Sequence, residues 1–158
     1  MADTGNPDAE MIEVVLMRHG EAQALAGKDA ARPLTQWGRY AVQAAAAELA
    51  KKAPSAQGVR SSPYLRARQT AKIVSEVLNL PILPESVEMV PSGDSDHLAS
   101  WLLAEGQPVI WVFHMPLIGH LIQNLTGREV LPKTASIFGL KVFLGAQIRH
   151  QHQLEWQL

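Results

Sequence analysis

The chain of 158 residues contains no cysteine. This absence excludes disulfide bonds, thiolate zinc sites and cysteine nucleophiles, and it fits a reducing compartment. The sequence also lacks an excess of either charge, because the formal net charge at pH 7 is -1. We therefore expect no general attraction to nucleic acid or to a membrane surface.

Long apolar runs and targeting segments are missing as well. The apolar stretches are far shorter than the roughly 20 residues that a membrane span requires. Residues 1–10 are polar and acidic, unlike a signal peptide, so we expect a disordered tail there and a cytoplasmic location. With no repeat, low-complexity segment or linker, residues 11–158 are predicted to form a single domain.

Two short apolar runs, residues 12–17 and 109–113, indicate strands that are buried on both faces, as parallel strands are. Helices are predicted from apolar spacing and alanine content at 39–52, 64–78, 94–104 and after Pro116. Thr35 and Ser62 are the predicted N-caps of the first two helices. Further strands are predicted at 58–61 and in a hairpin of 137–144 with 148–156. The pattern predicts an α/β fold: a three-layer α/β/α sandwich with a mostly parallel central sheet.

Both apolar runs end in a histidine. Arg18, His19 and Gly20 follow the first run, and His114 follows the second. If the strands are parallel neighbours, both imidazoles lie at the carboxyl edge of the sheet, where such sheets bind ligands. Arg66 lies in the first turn of the second helix, and a helix N-terminus favours anions. Two imidazoles and two guanidiniums predict a pocket for a tetrahedral dianion such as phosphate.

Four sequence blocks resemble the histidine phosphatase superfamily, also called phosphoglycerate mutase-like. The blocks are LMRHGE at 16–21, RPLTQWG at 32–38, SPYLRARQTA at 62–71 and FHMP at 113–116. They stand in the family's order, and the compact stretch between the last two blocks leaves little room for a lid. Within the superfamily the chain is most similar to the bacterial phosphohistidine phosphatases. The resemblance implies the phosphoglycerate mutase-like fold.

The resemblance also implies a role for each matched residue. His19 would be the nucleophile and would be transiently phosphorylated, Arg18 and Arg66 would hold the phosphoryl oxygens, and His114 would donate a hydrogen bond to the transferring group. Neighbouring arginines favour the neutral imidazole that such an attack requires. Ser62 is a further candidate for binding phosphate. We expect no cofactor and no metal, since guanidiniums can supply the positive charge.

The proton donor is predicted less directly. An ester's leaving alkoxide requires an acid. Related enzymes take a carboxylate from the segment between the blocks at 62–71 and 113–116. Glu88 is the candidate here, with Glu85 and Asp94 as alternatives. A phosphohistidine substrate relaxes this demand, because imidazole is a much weaker base than an alkoxide and can be protonated before the bond breaks.

We therefore predict a phosphatase that removes phosphate from a phosphohistidine-bearing signalling protein, through a phospho-His19 intermediate. Its partners would be phosphate and that protein, which could carry the histidine on a phosphotransfer domain. Two alternatives stay open. One is a small-molecule phosphomonoesterase or mutase of the same superfamily, and the other is a non-catalytic phosphate-binding scaffold.

Other conspicuous side chains are given structural interpretations. Glu21 is expected to orient the loop after the first strand, Arg60 to lie at the pocket rim and Arg68 on a helix surface. Three tryptophans are predicted in the core: Trp37, Trp101 and Trp111. Four histidines are predicted at the surface, the last two on a solvated strand face and not as metal ligands: His97, His120, His150 and His152.

Overall fold

The computed structural model describes residues 10–24, 27–145 and 150–158. Most of the predicted N-terminal tail, residues 1–9, lies outside this range. The described residues form one five-stranded sheet with the order β2-β3-β1-β4-β5. Its strands are β1 (Met11–Arg18), β2 (Val59–Ser61), β3 (Ile110–Phe113), β4 (Ile137–Phe143) and β5 (Gln153–Gln157).

The central position of β1 decides where the functional edge lies. It pairs in parallel with β3, with Arg18 opposite Phe113, and β2 pairs in parallel with the other side of β3. β4 runs antiparallel to both β1 and β5. Four strands of the described sheet therefore point the same way, as predicted, and the carboxyl ends of β1, β2 and β3 share one edge.

Helices cover both faces of this sheet. Side chains alternate along a strand, so Val15 and Met17 pack with the helices α1 and α2, whereas Val14 and Leu16 pack with α3 and α4. All four of these side chains are buried. The three-layer sandwich is thus confirmed, with helices at α1 (Gln36–Lys51), α2 (Leu65–Leu78), α3 (Ser95–Glu105) and α4 (Leu117–Thr126).

One predicted helix cap is confirmed and another is wrong. The hydroxyl of Thr35 accepts a hydrogen bond from the backbone N–H of Gly38 at 2.8 Å, which caps α1. Ser62 does not cap α2, because the N-cap position belongs to Tyr64. The Ser62 hydroxyl bonds instead to His114, which lies at the end of β3. A serine that looked structural in the sequence thus faces the functional edge.

Two expectations about large side chains are also wrong. Trp37 is 75% exposed in the first turn of α1, whereas Trp111 is fully buried and Trp101 is half-buried against it. Arg60 does not lie free at a pocket rim. Its guanidinium forms an ion pair with Glu105 at 2.6 Å and stacks over the rings of Trp101 and Trp111.

His97, His120 and His150 are exposed, as the sequence predicted, but His150 lies in a turn and not on the predicted strand. His152 contradicts the prediction, because it is buried and lies just before β5, not on a solvated strand face. Its Nδ1 atom accepts a hydrogen bond from the backbone N–H of Phe143 at 3.1 Å. Burial lowers the pKa of His152, and its role is to join β4 to the last strand. Residues 146–149 of the predicted hairpin lie outside the described residues.

Candidate active site

The parallel pairing of β1 with β3 brings His19 and His114 together at the carboxyl edge of the sheet. Their ring centroids are 4.9 Å apart, with the planes tilted by 54°. The backbone N–H of His19 donates to the carbonyl of Phe113 at 3.1 Å, which extends the pairing to the histidines themselves. The convergence predicted from two strand ends is therefore present in the structure.

The surroundings of His19 fix which of its ring nitrogens carries the proton. Its Nδ1 atom lies 2.7 Å from the carbonyl oxygen of Gly20. A carbonyl can only accept a hydrogen bond, so Nδ1 holds the hydrogen and Nε2 keeps its lone pair. Arg66 donates its Nε hydrogen toward that lone pair at 3.3 Å. The free electron pair of Nε2 thus faces a guanidinium.

Burial keeps this imidazole neutral. His19 is 6% exposed, and its pKa is lowered from 6.5 to about 4, first by desolvation and then by the positive charges of Arg66 and Arg18. The hydrogen bond to Gly20 acts in the opposite direction but is outweighed. At pH 7 the ring is almost entirely unprotonated at Nε2, which is the state that a nucleophile requires.

Arg66 is buried in the first turn of α2 and is held by a residue that sequence reasoning missed. Its two terminal nitrogens donate to Asp29, one to the backbone carbonyl at 2.8 Å and one to the carboxylate at 3.2 Å. The guanidinium also lies over the ring of Tyr64 at 5.0 Å. Asp29 forms a second ion pair with Arg32 at 2.8 Å. The spacing of Asp29 three residues before Arg32 was the available sequence signal.

Arg18 brings the second guanidinium to this edge. One terminal nitrogen donates to the carbonyl of Pro132 at 2.9 Å, whereas the buried Nε atom finds no hydrogen-bond partner among the described residues. Burial and the nearby charge of Arg66 lower the pKa of Arg18. The two guanidiniums repel each other, and the Nε hydrogen of Arg18 has no acceptor among the described residues. An anion bound here would relieve the repulsion and supply the acceptor.

His114 is fixed from behind by Ser62. The hydroxyl oxygen of Ser62 lies 2.6 Å from Nε2 of His114 and also accepts from the backbone N–H of Tyr64 at 3.3 Å. Nδ1 of His114 has no hydrogen-bond partner among the described residues. Burial, followed by the charges of His19 and Arg66, lowers the pKa of His114 to about 3. The contact of Ser62 is therefore with the imidazole, and its phosphate-binding role stays a prediction.

Thr70 is a second residue that sequence reasoning missed. Its buried hydroxyl accepts from the backbone N–H of Gly20 at 3.1 Å and donates to the carbonyl of Arg66 at 2.8 Å. A single side chain thus links the loop after β1 to the first turns of α2. Thr70 follows Arg66 by one helical turn, so the helical spacing of the second-helix block contained the signal.

The predicted proton donors are all engaged elsewhere. Glu88 is exposed and pairs with His97 at 3.0 Å, and Glu85 forms two bonds to Arg68. Asp94 caps α3 with its carboxylate. In the described part of the chain no hydrogen bond or ion pair joins these carboxylates to either imidazole of the site. The acid role of Glu88 therefore stays a prediction.

Glu21 stabilises the loop after His19 from outside the pocket. Its carboxylate accepts from the hydroxyl of Thr35 at 3.2 Å, and its backbone carbonyl accepts from the N–H of the same residue at 2.9 Å. These two bonds attach the start of α1 to the segment that follows His19. This contact agrees with the orienting role that the sequence suggested.

The described residues include neither a metal site nor a membrane-spanning helix. Across 10–24, 27–145 and 150–158, no three histidine, cysteine, aspartate or glutamate side chains are grouped closely enough to hold a metal ion. Over the same ranges, none of the helices combines the length and the apolar character that crossing a membrane requires.

Comparisons with known proteins point in one direction. The model of the histidine phosphatase superfamily (branch 1) matches residues 14–86. Phosphohistidine phosphatase SixA of Escherichia coli is 36% identical over 126 residues, covering 77% of this chain and 78% of that protein. The structure of the protein histidine phosphatase SixA complexed with tungstate superposes with a TM-score of 0.84 at 31% identity, over 93% of this chain and 96% of that chain.

A mycobacterial glucosyl-3-phosphoglycerate phosphatase superposes with a TM-score of 0.69 at 18% identity. The match covers 92% of this chain and 98% of that chain. At this identity the likeness establishes a shared fold only. The same architecture therefore serves a relative whose name specifies a small phosphate ester.

Proposed function

Because this chain belongs to the histidine phosphatase superfamily, we propose that it removes phosphate from a phosphohistidine side chain of another protein, with His19 as the nucleophile. The observation that carries the proposal is the arrangement of the His19 ring. Its Nδ1 atom bonds to the carbonyl of Gly20, which leaves the lone pair on Nε2, and Nε2 lies 3.3 Å from the Nε atom of Arg66. The similarity to SixA, whose name specifies phosphohistidine, supports the choice of substrate.

The first step transfers the phosphoryl group to the enzyme. Nε2 of His19 attacks phosphorus, and the bond between phosphorus and the substrate imidazole, already protonated on its other nitrogen, breaks. The electron pair goes to the leaving nitrogen, so the substrate histidine departs as a neutral imidazole. Arg18 and Arg66 bind the phosphoryl oxygens and neutralise their charge, which is most of what phosphoryl transfer asks of a protein. The positive charge that forms on the His19 ring is stabilised by the hydrogen bond from Nδ1 to the Gly20 carbonyl.

The second step regenerates the enzyme. Water attacks phosphorus, the bond to Nε2 breaks, and the electron pair returns to the His19 ring. Both hydrogens of the water leave with the product as dihydrogen phosphate, so the ring is again neutral with its hydrogen on Nδ1. Splitting one displacement into two in this way is the advantage of a covalent intermediate.

His114 donates a hydrogen bond to the transferring group in this proposal. The Ser62 oxygen accepts from the Tyr64 N–H, so its own hydrogen is available to Nε2 of His114. That arrangement leaves the ring hydrogen on Nδ1, the buried nitrogen that has no partner among the described residues. With a pKa of about 3, His114 acts as a neutral donor at pH 7.

The leaving group favours phosphohistidine over an ester. An alkoxide needs a proton as it departs, but Glu88, Glu85 and Asp94 are engaged outside the site. Asp29 contacts the site, and its pKa is lowered by its bonds to Arg32 and Arg66, so it is a poor acid. An imidazole leaving group does not require such an acid. We further propose that the substrate is a signalling protein in the cytoplasm, as the lack of cysteine suggests.

A labelling experiment tests the nucleophile. The protein is mixed with a carrier protein that holds radioactive phosphohistidine and is quenched rapidly in alkali, in which a phosphohistidine bond persists. We expect label on the unsubstituted chain and none on His19→Ala. His120→Ala, which changes an exposed histidine of α4, serves as the control and should be labelled normally. Label on His19→Ala would contradict the assignment.

A substrate panel tests the leaving-group argument. Turnover of the phosphohistidine carrier is compared with turnover of sugar phosphates and phosphoglycerates. We expect the carrier to have the higher kcat/KM. Higher turnover of the small esters would support the phosphomonoesterase or mutase alternative. Binding of phosphate without label or turnover would support the scaffold alternative.

A further inference from the structure

Asp29 contacts the catalytic arginine but has no part in the steps above. It lies in a single 3-10 turn, Asp29–Ala31, between β1 and α1. We propose that Asp29 is a positioning residue: it binds the terminal nitrogens of Arg66, so that the Nε edge of the guanidinium faces the nucleophile. Its negative charge also lowers the affinity of the site for phosphate. This inference rests on the proposed function for its kinetic part only.

The hydrogen bonds of Arg66 show how the guanidinium is divided. A guanidinium has five N–H donors in one plane. Asp29 takes one hydrogen from each terminal nitrogen, at 2.8 Å through its carbonyl and at 3.2 Å through its carboxylate. The Nε hydrogen points to Nε2 of His19 at 3.3 Å. With its end held, the guanidinium offers its Nε edge to a phosphoryl group that sits on Nε2.

Burial distinguishes this contact from an ordinary surface ion pair. The Arg66 side chain is 4% exposed, whereas that of Asp29 is 56% exposed. An exposed carboxylate contributes little to stability as an ion pair, but it can fix the orientation of a buried cation. Arg32 holds the other side of the same carboxylate at 2.8 Å, so Asp29 is itself fixed between two guanidiniums.

The charge of Asp29 has a second consequence. Arg18 and Arg66 bring two positive charges to the site, and the carboxylate of Asp29 offsets part of them. A site without this offset would bind the anionic phosphate product more tightly. Asp29 thus accelerates transfer by orientation and assists product release by charge, so its removal should change kcat and phosphate affinity in opposite senses.

The test uses Asp29→Asn and Asp29→Ala in the full chain. Asn keeps the side-chain acceptor oxygen but loses the charge, whereas Ala loses both and leaves Arg66 only the backbone carbonyl of residue 29. Orthophosphate affinity is measured by direct titration, and kcat and KM are measured on a phosphohistidine carrier. We expect orthophosphate to bind about threefold to fivefold more tightly to Asp29→Asn, the effect of one partly exposed charge. We expect kcat of Asp29→Ala to fall about tenfold or more, because a misplaced guanidinium no longer meets the reacting group.

Glu48→Gln is the matched control, because the carboxylate of Glu48 is as exposed as that of Asp29 and pairs with Lys51 outside the site. It should leave orthophosphate affinity and kcat within about twofold. Urea unfolding of each variant establishes that the comparison is made between folded proteins. Should Asp29→Ala fail to fold, the Asn variant still carries the affinity test, and the side-chain Nε–H signal of Arg66 in its nitrogen-15 spectrum reports orientation.

Two results would overturn the proposal. One is a kcat for both variants within twofold of the unsubstituted chain. The other is a loss of orthophosphate affinity together with kcat, which is what a mere anchor of the 27–35 loop would produce. The orthophosphate titration needs no substrate, so it tests Asp29 even if no phospho-His19 forms and the proposed function fails.

Discussion

Replacing Thr70 by valine isolates one link between the two halves of the site. The hydroxyl of Thr70 is the acceptor for the buried backbone N–H of Gly20, and it donates to the carbonyl of Arg66. Gly20 in turn accepts the Nδ1 hydrogen of His19. Thr70→Val keeps the shape of the side chain but removes the hydroxyl, so it leaves the N–H of Gly20 without its acceptor.

The expected loss of stability follows from these two hydrogen bonds. An orphaned buried N–H costs about 1–3 kcal/mol. The carbonyl of Arg66 keeps its helical partner, so the second loss is smaller, and we expect the free energy of unfolding to fall by about 2 kcal/mol. For a chain of this length that corresponds to a decrease in Tm of about 4–8 °C. Because Gly20 also orients His19, we expect kcat to fall about tenfold.

Urea unfolding and steady-state kinetics check both effects, with Thr70→Ser as the control. Serine keeps the hydroxyl and loses only a methyl group, so it should retain kcat and lose about 1 kcal/mol of stability. The reasoning would be refuted by a Val variant whose unfolding free energy lies within about 0.5 kcal/mol of the unsubstituted chain. It would equally be refuted by a Ser variant as impaired in kcat as the Val variant.

Four further predictions concern charge, the pH dependence of activity and of stability, and packing. Arg66→Lys should weaken orthophosphate binding about tenfold or more, because an ammonium cannot replace the planar guanidinium, and a titration in which affinity is retained would contradict this. Activity should fall in acid with a midpoint at about 4 as Nε2 of His19 is protonated, and a pH profile of kcat/KM with its midpoint near 6.5 would disprove the burial argument. In the unfolded chain His19 and His114 take up a proton as the pH falls below their ordinary pKa of 6.5. In the folded protein they stay neutral until the pH approaches their lowered pKa values of about 4 and about 3. Stability measured by urea unfolding should therefore decline as the pH falls from 6.5 to 4, and an unchanged value would be inconsistent with both pKa shifts. Gly38→Ala should cost about 1–3 kcal/mol, because the new methyl group would overlap the carbonyl oxygen of Glu21, and thermal unfolding at an unchanged Tm would refute this.

The sequence predicted the frame of the site well, because strand ends and helix starts are local features. The apolar runs placed His19 and His114 at two strand ends, and parallel pairing then required them to share an edge. Arg66 was found for a similar reason, since the predicted start of the second helix placed it in the first turn. Each of these inferences needed only neighbouring residues and one rule of topology.

What the sequence could not show depends on partners distant along the chain. Asp29 lies in a loop without periodicity, and only the folded structure shows its contact with Arg66. Ser62 had the local pattern of a helix cap, but a tertiary contact with His114 displaced that role. His152 alternated with glutamines like a solvated residue, yet the start of the last strand turns it inward.

The adjacency of β1 and β3 makes enzymatic turnover a reporter of folding. The two imidazoles belong to distant parts of the chain, and the segment between them contains β2 and three of the helices. Closing so long a segment is entropically costly and slow. The recovery of activity during refolding should therefore count molecules whose central strands have paired, whereas circular dichroism of early helices would not.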